Sequence, residues 1–273
     1  MNASSSDWEK AVLWLREQPG QQALVRDCFY DDPLGAAAQR YYEGSEWRAV
    51  RELLPAQPGR ALDIGAGRGI SSYALARDGW RVTALEPDAS DIVGAGAIRA
   101  LAGEARLAID VAQEWGEKLP FADAVFDLVH CRQALHHARD LRQLCAEIGR
   151  VMKPGACFIA TREHVISRSR DLQRFLDGHP LHHRYGGENA YRLRDYLGAI
   201  EAAGIRVDRV LNPLQSDINL FPQTRQELQA RIARRLFLPS PNLVPLSALG
   251  WLGGCLRRPG RLYTFTGRKP LHG

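Results

Sequence analysis

The stretch Ala61-Leu-Asp-Ile-Gly-Ala-Gly-Arg-Gly69 limits the possible folds more than any other part of this sequence. A short apolar run enters three alternate glycines, and a helical pattern over 70–78 leaves them. Glycine permits the sharp turn and lets the backbone approach a ligand closely. Strand, tight loop and helix in that order begin an open α/β sheet, whose ligands bind beyond the carboxyl ends of the strands. The alternation continues downstream. Strands are predicted at 81–86, 106–110, 125–130 and 156–161, with helices at 92–102 and 141–152. A helix over 193–203 with Gly204 at its end, and strands at 205–211 and 261–266, complete the pattern. The expected fold is α/β, a doubly wound and mostly parallel seven-stranded sheet.

The loop chemistry narrows the ligand. A dinucleotide fingerprint of the form G-x-G-x-x-G needs glycine at position 70, where Ile70 stands. Asp63 puts a negative charge beside a loop that otherwise favours a diphosphate. A cationic ligand suits it better. Glu86 ends the second strand, 21 positions after Gly65, where a carboxylate is placed to accept from ribose hydroxyls.

Three further segments extend the pattern: Leu119-Pro-Phe121, Phe126-Asp-Leu-Val129 and Arg150-Val-Met-Lys-Pro-Gly155. With the glycine loop and Glu86, they resemble the small-molecule branch of the class I, Rossmann-like S-adenosylmethionine-dependent methyltransferases, over roughly residues 59–163. The resemblance implies S-adenosylmethionine as cofactor. It implies that Gly65, Gly67 and Gly69 line the methionine and ribose side, that Asp63 acts at the amino group directly or through water, and that Glu86 holds the ribose. The adenine would lie beside 115–118. There the family's acidic residue is replaced by Trp115, leaving Glu117 or Glu114 for the adenine amine, or Trp115 to stack on the ring. Arg132, in the run after the fourth strand, is placed to meet the cofactor carboxylate or to form a surface salt bridge. At least one of His136 and His137 is expected to be a structural histidine.

Residues 1–58 read as a helical cap, with helices near 8–18 (Asp7 as cap), around Leu24–Phe29, and over 44–54. In similar enzymes such helices cover the cofactor. Tyr41 is the aromatic assigned to the sulfonium, the alternative being a Tyr/Trp stripe that packs the helices on the sheet. The methyltransferase domain then spans 59–273, with a lid at 163–192 and a helical insertion at 223–258. The helix over 224–238 is basic and amphipathic, fit either to dock on anionic lipid or to pack its stripe on the domain.

The lid is rich in titratable groups: Arg162-Glu-His164, His179-Pro-Leu-His-His183 and Tyr185-Gly-Gly-Glu-Asn-Ala-Tyr191. A hydroxyl acceptor needs a general base, so Glu163, His164 and His182 are the catalytic candidates, with Glu188 behind them. A metal reading of the histidines is weaker, because His179, His182 and His183 span Pro180 and share no regular helix face. No metal is assigned.

The expected activity is methyl transfer to a small molecule of secondary metabolism, with oxygen favoured as acceptor and S-adenosylhomocysteine released. Two rivals share the fold: cyclisation of the cofactor's aminobutyrate arm with release of methylthioadenosine, and a non-catalytic partner subunit. A nicotinamide-dependent oxidoreductase is a weaker third. Bulk properties fit a globular enzyme. The 273 residues are 45% hydrophobic and 25% charged, with net charge +5. Five cysteines lack a Cys-x-x-Cys pair and are odd in number, which argues against a secreted disulfide framework. Residues 1–10 hold no apolar signal core, and 244–256 is short and broken by Pro245 and three glycines. A cytoplasmic protein without stable membrane insertion and without a nucleic-acid partner is expected.

Overall fold

Apolar residues on each central strand alternate between two buried layers, and this alternation defines the architecture. In a computed structural model, which describes residues 5–271, Leu62 and Ile64 of the first strand join one core while Ala61 joins the other. Phe158 and Ala160 separate from Cys157 and Ile159 in the same way. Burial on both faces is the signature of a sheet sandwiched between helices.

Four helices come first: α1 (Ser5–Glu17), α2 (Gln22–Asp27), α3 (Leu34–Glu43) and α4 (Ser45–Arg51). The alternating region follows as β1 (Arg60–Ile64), α5 (Ile70–Arg77), β2 (Arg81–Leu85), α6 (Ala95–Ala105), β3 (Ile109–Ala112), β4 (Phe126–Arg132), α7 (Leu141–Val151) and β5 (Met152–Ile166). The chain continues as α8 (Asp171–Asp177), α9 (His182–Tyr185), β6 (Tyr191–Arg192), α10 (Leu193–Ala202), β7 (Arg206–Leu211), α11 (Asp217–Leu220), α12 (Arg225–Arg235), α13 (Leu246–Cys255) and β8 (Arg261–Arg268). The sheet order is β3-β2-β1-β4-β5-β8-β7, with β6 pairing beside β5. Among the described strands, β8 alone runs opposite to the others, antiparallel to both β5 and β7. The doubly wound sheet is therefore present, with one two-residue strand, β6, beyond the seven expected.

Several boundaries differ from the sequence pattern for physical reasons. The helix α3 was not expected. Its Ala37, Ala38 and Tyr41 are buried in the core shared with α5. Asp7 sits in the first turn of α1 instead of capping it. β3 begins three residues later than predicted, because Arg106 takes a left-handed turn at the end of α6. β5 extends to Ile166, so Glu163 and His164 belong to the sheet and the lid begins after them. Within β5 the pairing with β8 slips between Ala160 and Glu163, and Arg162 has φ of 59°. This is a bulge, which re-aims the side chains that follow it.

The segment 223–258 forms α12 and α13, joined by a short 3-10 turn. Thr224 and Glu227 form a capping box at the start of α12. Leu228 and Ile232 pack on Val244 and Leu249, so most of the apolar stripe of α12 is covered by its own hairpin partner, while Leu236 at its end is exposed. Phe237 and Trp251 are exposed at 94% and 71%. No helix among the described residues is long and apolar enough to cross a membrane.

Candidate active site

Four parallel strands, β2, β1, β4 and β5, end on one edge of the sheet. A cavity of about 610 Å³ opens there, in the size range of small-molecule sites. Its wall follows the strand order: Glu86 after β2, Gly65 and Gly67 after β1, Arg132, Gln133, Ala134, His136 and His137 at the end of β4, and His164 on β5.

The glycine loop is shaped by three left-handed residues, and the three do different things. Gly65 has φ of 65° and a Cβ there would lie 2.7 Å from the Ala134 Cβ. Gly67 has φ of 54° and a Cβ there would meet nothing within 4 Å, so its backbone faces open space. Gly69 starts α5 at φ of 84°, packed against Ile98, and does not line the cavity. Its expected cofactor contact is thereby corrected to a packing role. Glu86 accepts from the backbone N–H of Gly67 at 2.7 Å and of Asp88 at 3.0 Å. Burial pushes its pKa up to about 7. Each carboxylate oxygen keeps a second lone pair for a ligand hydroxyl.

Asp63 does not reach the cavity. It is 1% exposed, accepting from Ser72 Oγ at 2.6 Å and from His130 Nδ1 at 2.8 Å. Its carboxylate fastens β1 to α5 and β4 behind the loop, so direct contact with an amino group is corrected. Arg68, between the last two glycines, donates to the carbonyls of Ile92, Phe29 and Asp31, each at 2.9 Å, and pairs with Asp32. This guanidinium ties the cap to the loop. The sequence offered only its position between glycines as a signal.

Arg132 lines the cavity and forms a two-point ion pair with Glu46 of α4, at 2.7 and 2.9 Å. Glu46 is fully buried. Burial alone pushes its pKa up, but Arg132 and Arg162 hold it below the ordinary value. Tyr41 is also fully buried, and the Arg132 guanidinium lies 5.3 Å from its ring. The ring does not line the cavity. The cation over Tyr41 is therefore this arginine, which corrects the sulfonium assignment. Trp115 lines the cavity and is 55% exposed, with Arg139 over its ring at 4.9 Å. Glu117 accepts from the Arg139 backbone N–H at 2.9 Å and lies outside the cavity lining, which corrects its adenine role.

At the β4–β5 end, the bulge delivers Glu163 to the turn after β4. Its carboxylate accepts from the backbone N–H groups of Ala134, Leu135 and His136, at 3.0, 3.1 and 3.0 Å. It also accepts from His136 Nδ1 at 2.7 Å. Burial pushes its pKa up, but His136 and these N–H groups hold it below the ordinary range. Fully buried and saturated, Glu163 touches no acceptor. It positions His136, correcting its assignment as a base.

His136 presents its other nitrogen toward Glu188, with Nε2 to Oε2 at 3.8 Å. His164 lines the cavity and donates Nδ1–H to the Gly260 carbonyl at 2.9 Å. Burial, with His136 alongside, drops its pKa to about 3. Burial pushes the Glu188 pKa up, but the surrounding histidines bring it down to about 2. Tyr185 donates to Glu188, and His179 Nδ1 lies 3.7 Å from it. His182 does not line the cavity. It packs edge-on to His183 at 6.0 Å, which corrects its catalytic assignment. The sequence expects at least one of His136 and His137 to be structural and gives His179 no catalytic role. The His136–Glu163 bond spans 27 positions and depends on strand register, which no local pattern carries.

The lid closes onto the cap. The Tyr185 ring packs tilted against Trp8 with centroids 4.6 Å apart, and Arg184 lies 3.9 Å from the Trp14 ring. Leu181 joins Ala11, Leu15 and Val25 in one buried cluster.

A family model described as "Methyltransferase domain" matches residues 62–160. Dimethylglycine N-methyltransferase of Parasynechococcus marenigrum is 37% identical over 120 residues, covering 41% of this chain and 40% of the relative. Ubiquinone biosynthesis O-methyltransferase of Methylobacterium nodulans is 30% identical over 175 residues, covering 61% of this chain and 69% of the relative. The chain thus spans less than half of the first relative's length and about two thirds of the second's. Geranyl diphosphate C-methyltransferase from Streptomyces coelicolor, solved with Mg2+, geranyl diphosphate and S-adenosyl-L-homocysteine, has the same fold. Its TM-score is 0.60 at 16% identity, over 88% of this chain and 85% of that one.

Proposed function

Because the chain belongs to the class I S-adenosylmethionine-dependent methyltransferases, we propose that it transfers a methyl group to an oxygen of a small-molecule acceptor. The supporting observation is one continuous cavity with two chemically different ends. The end after β1 and β2 fits the cofactor: Gly67 leaves open space where any side chain would stand, and Glu86 has free lone pairs for ribose hydroxyls. The end after β4 and β5 carries His136, His164 and Glu188.

S-adenosylmethionine, when bound, supplies an electrophilic methyl on a sulfonium. The chain supplies the rest. The loop and Glu86 fix the nucleoside, Trp115 borders it, and Arg132 stands between the two ends. Holding acceptor and methyl in line contributes roughly 7–11 kcal/mol in well-oriented reactions. His136 receives the proton of an acceptor hydroxyl at Nε2, since its Nδ1–H is held by Glu163. Burial lowers its pKa but Glu163 raises it above the ordinary value, whereas His164 and Glu188 are too weak as bases. The similar proteins named above act on nitrogen, oxygen and carbon, and a proton-accepting His136 favours oxygen here.

Calorimetric titration with S-adenosylmethionine tests the cofactor end, with Gly67→Arg as the control expected to abolish binding. Turnover with hydroxyl-bearing acceptors should release S-adenosylhomocysteine. Release of methylthioadenosine instead would establish cyclisation of the aminobutyrate arm and overturn the proposal.

A further inference from the structure

We propose that His136, His164 and Glu188 form a binding site for one divalent transition-metal cation of the zinc or ferrous class, at the acceptor end of the cavity. One ligand atom from each residue lies within 4.8 Å of the others. Two histidines and one carboxylate are a ligand set for such ions, and three protein ligands mark an open, catalytic kind of site.

Three observations separate this arrangement from a hydrogen-bonded cluster. First, both imidazoles are locked in the orientation that frees Nε2. His136 gives its Nδ1–H to Glu163 and His164 gives its Nδ1–H to the Gly260 carbonyl. A metal-bound histidine almost always donates its second nitrogen to a carboxylate or a backbone carbonyl in this way. Second, Glu188 Oε2 is buried with no hydrogen-bond partner, and so is His179 Nδ1 beside it. Orphaned buried polar atoms of this kind call for an explanation such as an ion. Third, the His136–Glu188 separation is wrong for a hydrogen bond. His136 Nε2 stands 3.8 Å from Glu188 Oε2, beyond hydrogen-bond range. Two ligands at tetrahedral zinc distances lie about 3.3–3.6 Å apart, a few tenths of an ångström less. The gap is sized for a cation between the groups more than for a proton.

The ligands also select among metals. Imidazole nitrogen suits Zn2+, Fe2+, Co2+ or Ni2+, whereas Mg2+ takes oxygen ligands and keeps its waters. All three residues line the cavity, where the cation would lower the pKa of an acceptor hydroxyl and replace His136 as its activator. This role rests on the methyl-transfer reading, but metal binding itself does not.

The test uses the full chain, stripped with a chelator and titrated with Co2+, whose visible absorption reports coordination. One equivalent should bind, Zn2+ should displace it, and Mg2+ should not. Glu188→Gln and His164→Gln should each weaken Co2+ binding by at least 10-fold while S-adenosylmethionine binding by calorimetry stays unchanged. Glu163→Gln, which among the three ligands reaches only His136 and does so through Nδ1 and the backbone N–H, should weaken it about 10–100-fold. No saturable Co2+ or Zn2+ binding, binding indifferent to Glu188→Gln and His164→Gln, or an equal preference for Mg2+ overturns the site. Loss of cofactor binding in the unmodified chain would instead overturn the methyltransferase reading, and the two failures are read by separate signals.

Discussion

Glu86 shows how one side chain couples cofactor binding to pH. Burial outweighs its two backbone hydrogen bonds and places its pKa at about 7, against about 4.5 for the free side chain. The folded carboxyl therefore holds its proton over a pH range in which the unfolded one has lost it. Stability falls as pH rises from about 4.5 to about 7, by up to roughly 3 kcal/mol. Cofactor affinity should run the other way, because the ionised carboxylate is the better acceptor for ribose hydroxyls. S-adenosylmethionine titrated calorimetrically between pH 6 and 8 should bind more tightly as pH rises through about 7. Glu86→Gln should flatten that profile and remove the matching slope in the thermal midpoint. At this scale the sequence was legible wherever position follows from a local motif, as at Gly65, Gly67 and Glu86. It was misleading at Asp63, Tyr41 and Glu163. Each is a polar residue of the expected kind, yet each spends its polar atoms or its ring face on the protein's own interior. A motif names the residue type, while burial decides what it faces.

Among the elements, α4 and β4 are joined by the buried two-point ion pair of Glu46 and Arg132. Removing one partner of a buried ion pair costs about 3–5 kcal/mol, because the other charge stays buried alone. For a chain of this length that corresponds to a fall in thermal midpoint of roughly 6–20 °C. Glu46→Gln and Arg132→Met should each show it by scanning calorimetry, and Glu46→Leu with Arg132→Met together should lose less than the two singles summed. The latch between α9 and α1 is weaker. Arg184→Ala removes a cation–π contact of about 0.5–1 kcal/mol. The midpoint should hardly move, while limited proteolysis between residues 167 and 190 should accelerate. Neither contact was visible in the sequence. Helical periodicity indicated α5, α7 and α12. It missed α3, a short helix buried on its alanine face. It also ended β5 early, because polar Arg162, Glu163 and His164 looked like a loop, although the strand continues through its bulge.

For the whole molecule, the doubly wound sheet followed from alternation of strand and helix, since apolar runs of strand length can only be buried from both sides. The placement of β6 did not, because a two-residue strand carries no period. The segment 223–258 packs its apolar stripe internally, while Phe237 and Trp251 remain on the surface. Phe237→Ser and Trp251→Ser should therefore shift the thermal midpoint by less than about 2 °C, since exposed side chains away from packing contacts contribute within ±0.5 kcal/mol. The Glu46–Arg132 pair bears on modular exchange. A leading helical segment transplanted from another member of this superfamily would bring its own electrostatics into a buried place that already holds the guanidinium groups of Arg132 and Arg162. Unless the incoming segment carries an acid at the matching place, the chimera inherits an unanswered cation, so any successful graft has to move both residues as one heritable unit.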